Sequence, residues 1–240
     1  MMDSFVFPNE AHILWTVMIV LYPYITGLVA GAFIVSSLYH VLGIEQLRPI
    51  SRFSLVSAFA FLLFATLPLL NHLGHPERAF NIMITPNFNS AMSGFGFVYS
   101  IYGVIVFLEI WFKYRVAFIE HYHSANPVAK AIYNVLLLGA TMRNEETDRI
   151  DNKAVRILAA IGIPVACILH GYVGFLFGSI KANPWWSTPL MFIIFIFSAI
   201  VSGVAVLIFL YQFVTWRGKR KMDQVTLDTM ARLLWGFMIV

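Results

Sequence analysis

Residues 12–42 read HILWTVMIVLYPYITGLVAGAFIVSSLYHVL, and none of them is Asp, Glu, Lys or Arg. A helix needs about 20 apolar residues to cross about 30 Å of hydrocarbon, and this run is longer than that. It is too long for a signal peptide and has neither a basic start nor an obvious cleavage site. Pro23 is expected to kink it. The pattern recurs outward along the chain, with apolar runs at about 53–73, 91–112, 155–180 and 188–216. A sixth begins near Leu227 and is still apolar at Val240. It is too short to cross, so the sequence is expected to be the N-terminal part of a longer protein or to be completed by another chain.

Composition agrees with this reading. The 240 residues are 60% hydrophobic and 12% charged, with a mean hydropathy of +0.78. Soluble domains are about 45–50% apolar and about 25% charged, and one core of this size cannot hide such an excess. A soluble globule, a disordered chain and a nucleic-acid binder are poor readings. The expected fold class is all-α: a polytopic transmembrane helical bundle. Residues 1–216 form a bundle of about five spans, a first four-helix bundle plus the next helix. Residues 217–240 form a basic loop and the start of a truncated sixth span.

The basic residues set the expected orientation. Of the 16 Lys and Arg, two (Arg78 and Lys181) fall on one side when the loops alternate, and fourteen fall on the other. The positive-inside rule predicts an N-terminus outside the bacterial inner membrane, in the periplasm if the host is Gram-negative. The only long loop, about 40 residues after Trp111, contains Asn144-Glu-Glu-Thr-Asp-Arg-Ile-Asp151 and reads as a solvated cytoplasmic segment. Gly27-Leu-Val-Ala-Gly31 and Gly174-Phe-Leu-Phe-Gly178 are spacings that let helices approach closely.

Polar groups at membrane depth need a reason. His12 opens the first span; Asn71, His72, His75, Glu77 and Arg78 cluster at the outer end of the second. His170 lies in the fourth, about 15 Å from Lys181 at 1.5 Å per residue, with Tyr172 following. Three spans thus bring imidazoles toward one end. On the third span Tyr99, Tyr102 and Glu109 fall close to one helical face, with Lys113 one turn beyond Glu109, as an ion pair or as part of a proton path. His40, His121 and His123 read as surface residues, and Trp185-Trp186 as an outer aromatic anchor or a partner contact.

This arrangement suits quinol chemistry. Oxidising a quinol removes two protons and two electrons. The site needs an apolar slot with titratable groups near the ring oxygens, and histidine titrates near working pH. The candidate catalytic residues are His170, His72 and His12. The lone Cys167 excludes a disulfide framework, a CxxC pair and a Cys-ligated iron–sulfur cluster within this chain. No set of metal ligands is expected, so electrons pass to another subunit unless haem is bound. Two other readings stay open: a haem b-binding anchor using imidazoles such as His12, His72 and His170, and a proton-coupled transporter.

Three segments together carry a family resemblance. They are Tyr24-Ile-Thr-Gly-Leu-Val-Ala-Gly-Ala-Phe33, Leu73-Gly-His-Pro-Glu-Arg-Ala79, and His170-Gly-Tyr-Val-Gly-Phe175 running on to Lys181-Ala-Asn-Pro-Trp-Trp186-Ser-Thr-Pro189. Ser198-Ala-Ile-Val-Ser-Gly203 continues the match. The chain resembles the NrfD/PsrC family, the membrane subunits of polysulfide reductase-like complexes and of alternative complex III. The resemblance implies a bundle of eight to ten helices built as two four-helix bundles, with a menaquinone or ubiquinone site near the outer face of the first and no haem of its own. It also implies a docked ferredoxin-like iron–sulfur subunit, with a molybdopterin subunit or a multihaem cytochrome c beyond it, and possible coupling to proton translocation. By position, His12 matches the family's polar residue opening span one, Tyr99 or Tyr102 its span-three tyrosine near the quinone, and His170 its span-four imidazole; the expected quinone-binding set is His12, Tyr99, Tyr102, His170 and Tyr172, and the expected proton path Tyr102, Glu109 and His72. Glu77, Arg78, Trp185 and Trp186 are the implied docking residues. The family often has Asp before Leu-Gly, where this chain has His72, preceded by Asn71.

Overall fold

The computed structural model of the chain describes residues 16–87, 89–137, 139–181 and 183–239, and contains no strand among them. The first apolar run forms α1 (Val17–Leu42). The Thr16 hydroxyl accepts from the Met18 amide at its start, and Gly43, with φ 68°, ends it in the left-handed conformation that glycine adopts without strain. Pro23 lies inside α1 without ending it.

The second run is split into α2 (Arg48–Ala65) and α3 (Leu67–His72). Pro68 explains the break, because it lacks an N–H and its ring crowds the carbonyl four residues back. A short turn at Pro76–Arg78 and α4 (Asn81–Ile84) lead to α5 (Ala91–Ser124), followed by α6 (Pro127–Leu136), α7 (Glu145–Gly178), α8 (Met191–Arg217) and α9 (Gln224–Ile239).

The segment after Trp111 differs from expectation, since most of it is helical. The acidic run is the cap and opening turns of α7. Asn144 Oδ1 accepts from the Thr147 amide at 2.7 Å, and Thr147 Oγ1 accepts from the Asn144 amide at 3.1 Å. Glu145, Glu146 and Asp148 follow in the first turn, where negative charge suits the helix dipole. Asp151 is buried, accepting from Arg115 Nε at 3.1 Å. Charge pattern alone does not distinguish a solvated run from a capped helix start with one inward carboxylate.

Five helical stretches are long and apolar enough to cross a membrane: α1, α2 with α3, α5, α7 and α8. The protein is a multi-pass integral membrane protein. α1 is the most enclosed of the five, as a helix apolar on all sides should be. It packs on α2, α7 and α8, while α5 packs on α2 and α7. The helices α1, α2, α5 and α7 therefore close a four-helix ring, α8 lies in the groove between α1 and α7, and α9 folds back on α8. Phe33 and Tyr102 fill the ring's centre edge to face, with ring centroids 5.4 Å apart.

Small residues set the spacing. A β-carbon at Gly31 would strike the Ala199 carbonyl oxygen and come within 2.8 Å of Gly203 Cα. At Gly174 it would strike the Met191 carbonyl oxygen, and at Gly178 it would lie 2.7 Å from that of Thr188. Gly31, Gly174 and Gly178 thus seat α8 and the loop leading to it. Between α1 and α2 the small residues are serines: Ser36 Oγ donates to the Ser51 carbonyl at 2.9 Å, with Ser54 buried on the same seam. One end of the bundle carries Arg48, Arg52, Lys113 and the 217–221 run. The other, the far end, carries Thr16, His72 and Trp186.

Candidate functional site

His170 sits on α7 where that helix meets α1 and α8. Its ring is buried, and Gly27 is what admits it: a β-carbon there would lie 3.0 Å from His170 Cε1 and 3.2 Å from Nε2. Phe195 of α8 covers another side of the ring, with centroids 5.5 Å apart. His170 Nδ1 is buried and has no hydrogen-bond partner among the described residues.

The imidazole lines a cavity of about 430 Å³ between α1, α7 and α8 in the half nearer the far end. The walls are largely apolar, with Ile19, Val20, Pro23, Met191, Ile194 and Phe195, and they also present the hydroxyls of Thr16, Tyr24, Ser198 and Ser202. Val20, Tyr24 and Ile194 are exposed, so the crevice opens sideways, toward lipid, between α1 and α8. Phe177 and Trp186, packed edge to face at 5.6 Å, close its outer end. A concave, largely apolar slot with a few convergent polar groups is the usual form of a small-molecule site.

The structure brings only part of the predicted set to this crevice. His170 is in it, and His72 stands beside it, its Nδ1 3.3 Å from Oγ1 of Thr16, a lining residue. His12 lies outside the described residues. Tyr99, Tyr102 and Tyr172 do not line the crevice. Tyr172 is two positions from His170, and residues so spaced point to different faces of a helix. It packs against α5 instead, where a β-carbon at Gly94 would strike its hydroxyl. Tyr99 donates to the Leu62 carbonyl of α2, and Tyr102 to the Val29 carbonyl of α1 at 3.4 Å. These tyrosines belong to the interior of the four-helix ring, behind α1 as seen from the crevice. The tryptophan pair is also divided: Trp186 closes the crevice, and Trp185 is 83% exposed. Glu77 stands 3.0 Å from His75 and 4.0 Å from Arg78, all three exposed at the far end.

Glu109 is fully buried, and neither of its carboxyl oxygens has a partner among the described residues. An ion pair with Lys113 does not form. Lys113 Nζ instead donates to His40 Nε2 at 3.2 Å, and that nitrogen is 3.2 Å from Ser51 Oγ. His40, expected at the surface, is half-buried in this network. Sequence reasoning also passed over Ser198 and Ser202, although the signal was present: two hydroxyls at i and i+4 on an otherwise apolar helix share a face.

The fold and crevice define an integral membrane protein of the helical-bundle class with an imidazole set in an apolar, laterally open slot. The chain belongs to the NrfD family: the family model described as "Polysulphide reductase, NrfD" matches residues 6–240. It is 35% identical over 228 residues to a selenate reductase subunit of Mesobacillus selenatarsenatis, covering 93% of this chain and 53% of that protein. It is 25% identical over 195 residues to a putative dimethyl sulfoxide reductase membrane subunit of Halobacterium salinarum, covering 81% and 42%. It is also 25% identical over 218 residues to an Hdr-like menaquinol oxidoreductase integral membrane subunit of Archaeoglobus fulgidus, covering 91% and 47%. The chain spans about half the length of these curated relatives.

Proposed function

We propose that this chain is the membrane subunit of a respiratory reductase complex and that it binds a menaquinone or ubiquinone in the crevice beside His170. The observation that carries this reading is the buried imidazole, one nitrogen of which has no hydrogen-bond partner among the described residues, in a slot of about 430 Å³ that opens toward lipid. The residues present fit such a ring: an apolar floor, one imidazole, four hydroxyls, and a glycine at the place where a side chain would obstruct. A bound quinol supplies two electrons and two protons. His170 is the group placed to hold one of those protons. His72, beside Thr16 at the crevice mouth, is placed to pass a proton toward the far end. With no redox metal proposed for this chain, the electrons go to or come from a ferredoxin-like iron–sulfur subunit, with a molybdopterin subunit or a multihaem cytochrome c beyond it. Glu77, Arg78 and Trp185 form the exposed docking surface at the far end, on the periplasmic side of the membrane.

Tyr102 and Glu109 are seven residues apart on one face of α5 and extend from the ring's centre toward the basic end. We assign them to proton movement through the bundle, separate from the crevice.

The test is His170→Ala in the purified complex. Quinol-linked turnover should fall by about 100-fold or more, as expected for loss of a positioned acid–base group, while every partner of the complex is retained. Unchanged turnover overturns the assignment of the site.

A further inference from the structure

A second, larger cavity of about 700 Å³ lies at the basic end, between α1, α2, α5 and the start of α7. It is independent of the crevice and of the quinone reading. Its polar wall carries Arg48, Arg52 and Lys113. Arg48 and Arg52 are one turn apart on α2, and neither makes a side-chain hydrogen bond or ion pair with any described residue. The carboxylates nearby are already engaged: Asp151 with Arg115 at 3.1 Å and Asp148 with Arg143 at 2.9 Å. Asp148 also holds the Arg143 guanidinium above its ordinary pKa, by hydrogen bond and charge. Asp148 and Asp151 themselves line the cavity, and with both of them paired the lining keeps a net excess of positive charge from Arg48, Arg52 and Lys113. Tyr39, Phe112 and Val116 add an apolar part to the lining beside Lys113, whose Nζ lies 5.8 Å over the Tyr39 ring.

A row of basic residues that served only to orient the chain would lie along an open surface. Here Arg48 and Arg52, though exposed, line one concave space together with the half-buried Lys113, at the start of α2 where an apolar span begins. Basic pockets of this kind between membrane helices suit phosphate-bearing lipid headgroups. We propose that this cavity is a phosphate-binding site that takes the headgroup of an anionic phospholipid. Arg48, Arg52 and Lys113 meet the phosphodiester, and Tyr39, Phe112 and Val116 meet the first part of the acyl chains. A lipid held there ties the start of α2 to α5 and to the start of α7.

The test uses the full chain purified in detergent with its accompanying subunits and stripped of lipid, then titrated with phosphatidylglycerol or phosphatidylcholine and read by native mass spectrometry. Phosphatidylglycerol should be retained and phosphatidylcholine not. Arg48→Gln with Arg52→Gln should weaken phosphatidylglycerol binding roughly 30-fold, from the usual attraction per basic residue at a membrane surface. Arg48→Lys with Arg52→Lys should keep most of the affinity, and Lys181→Gln, at the far end, all of it. Inorganic phosphate added to the unaltered protein provides an arm that does not depend on any variant folding. If millimolar phosphate displaces the lipid and by itself raises the melting temperature, the phosphate site stands and a soluble ligand replaces the lipid as its occupant. If both lipids are held equally, or the double Gln variant holds phosphatidylglycerol as tightly as the parent, the proposal is overturned.

Discussion

Gly27 and Gly31 are one turn apart on α1 and do different things. Gly27 leaves room for the His170 ring, whereas Gly31 leaves room for the backbone of α8. Gly27→Leu should place a side chain against the imidazole. We expect quinol-linked turnover of the complex to fall at least tenfold while its melting temperature changes little, because the added atoms point into a cavity and not into packed backbone. Gly31→Leu should do the reverse. Its β-carbon meets the Ala199 carbonyl, which cannot rotate away, so α1 and α8 must separate. Overpacking of this kind costs about 1–3 kcal/mol or more, and thermal unfolding in detergent would register it. If both substitutions lower stability equally, the division of roles between the two glycines is wrong. The Arg115–Asp151 pair offers a third residue-level expectation, since both side chains are nearly buried. Asp151→Asn alone should destabilise by about 3–5 kcal/mol, because it leaves a buried guanidinium without its counter-charge. The double change Arg115→Met with Asp151→Leu should recover most of that loss, which a double-mutant cycle would measure.

At the scale of the element, helix ends were harder to read than helix interiors. The apolar runs marked the membrane-spanning parts of α1, α5, α7 and α8 because hydrocarbon thickness fixes how long such a run must be. It sets no limit on how far a helix continues into water, so α5 runs on to Ser124 and α7 starts back at Glu145. The reciprocal Asn144–Thr147 cap stops α7 from fraying there. Asn144→Ala should cost about 1 kcal/mol and speed amide hydrogen exchange through the first turn of α7, leaving the exchange of its apolar half unchanged. Exchange unaltered in that first turn would mean the cap contributes nothing. The second span was expected as one run over about 53–73, and its division into α2 and α3 at Pro68 came from the structure. The inward turn of Asp151 was not legible either, because its partner Arg115 is far away in sequence and approaches only when α5 and α7 pack.

For the whole molecule, orientation and assembly are the open expectations. Fourteen basic residues against two predict an N-terminus outside. On a Cys167→Ser background, Lys181→Cys should react with an impermeant maleimide in intact cells, and Arg220→Cys only after permeabilisation. The opposite labelling would reverse the proposed docking face and the direction of proton release. The five-span frame places the crevice near one end and the basic cavity at the other, with Glu109 buried between them.

The amino-acid sequence alone determined that this chain lives in a bilayer as a helical bundle, and it marked His72, His75 and His170 as imidazoles of the same half of that bundle. Hydropathy, span length and charge asymmetry are properties of consecutive residues, and the solvent reads them without reference to the fold. Tertiary structure alone decided which polar groups share a space. His170 and Tyr172, two positions apart, were parted by the helical rotation between them, and α8 settled into the groove beside α1 because Gly31, Gly174 and Gly203 allow backbones to touch. That docking made the crevice around His170 and left the tyrosines behind α1, a consequence of helix rotation and close packing that a linear pattern does not carry.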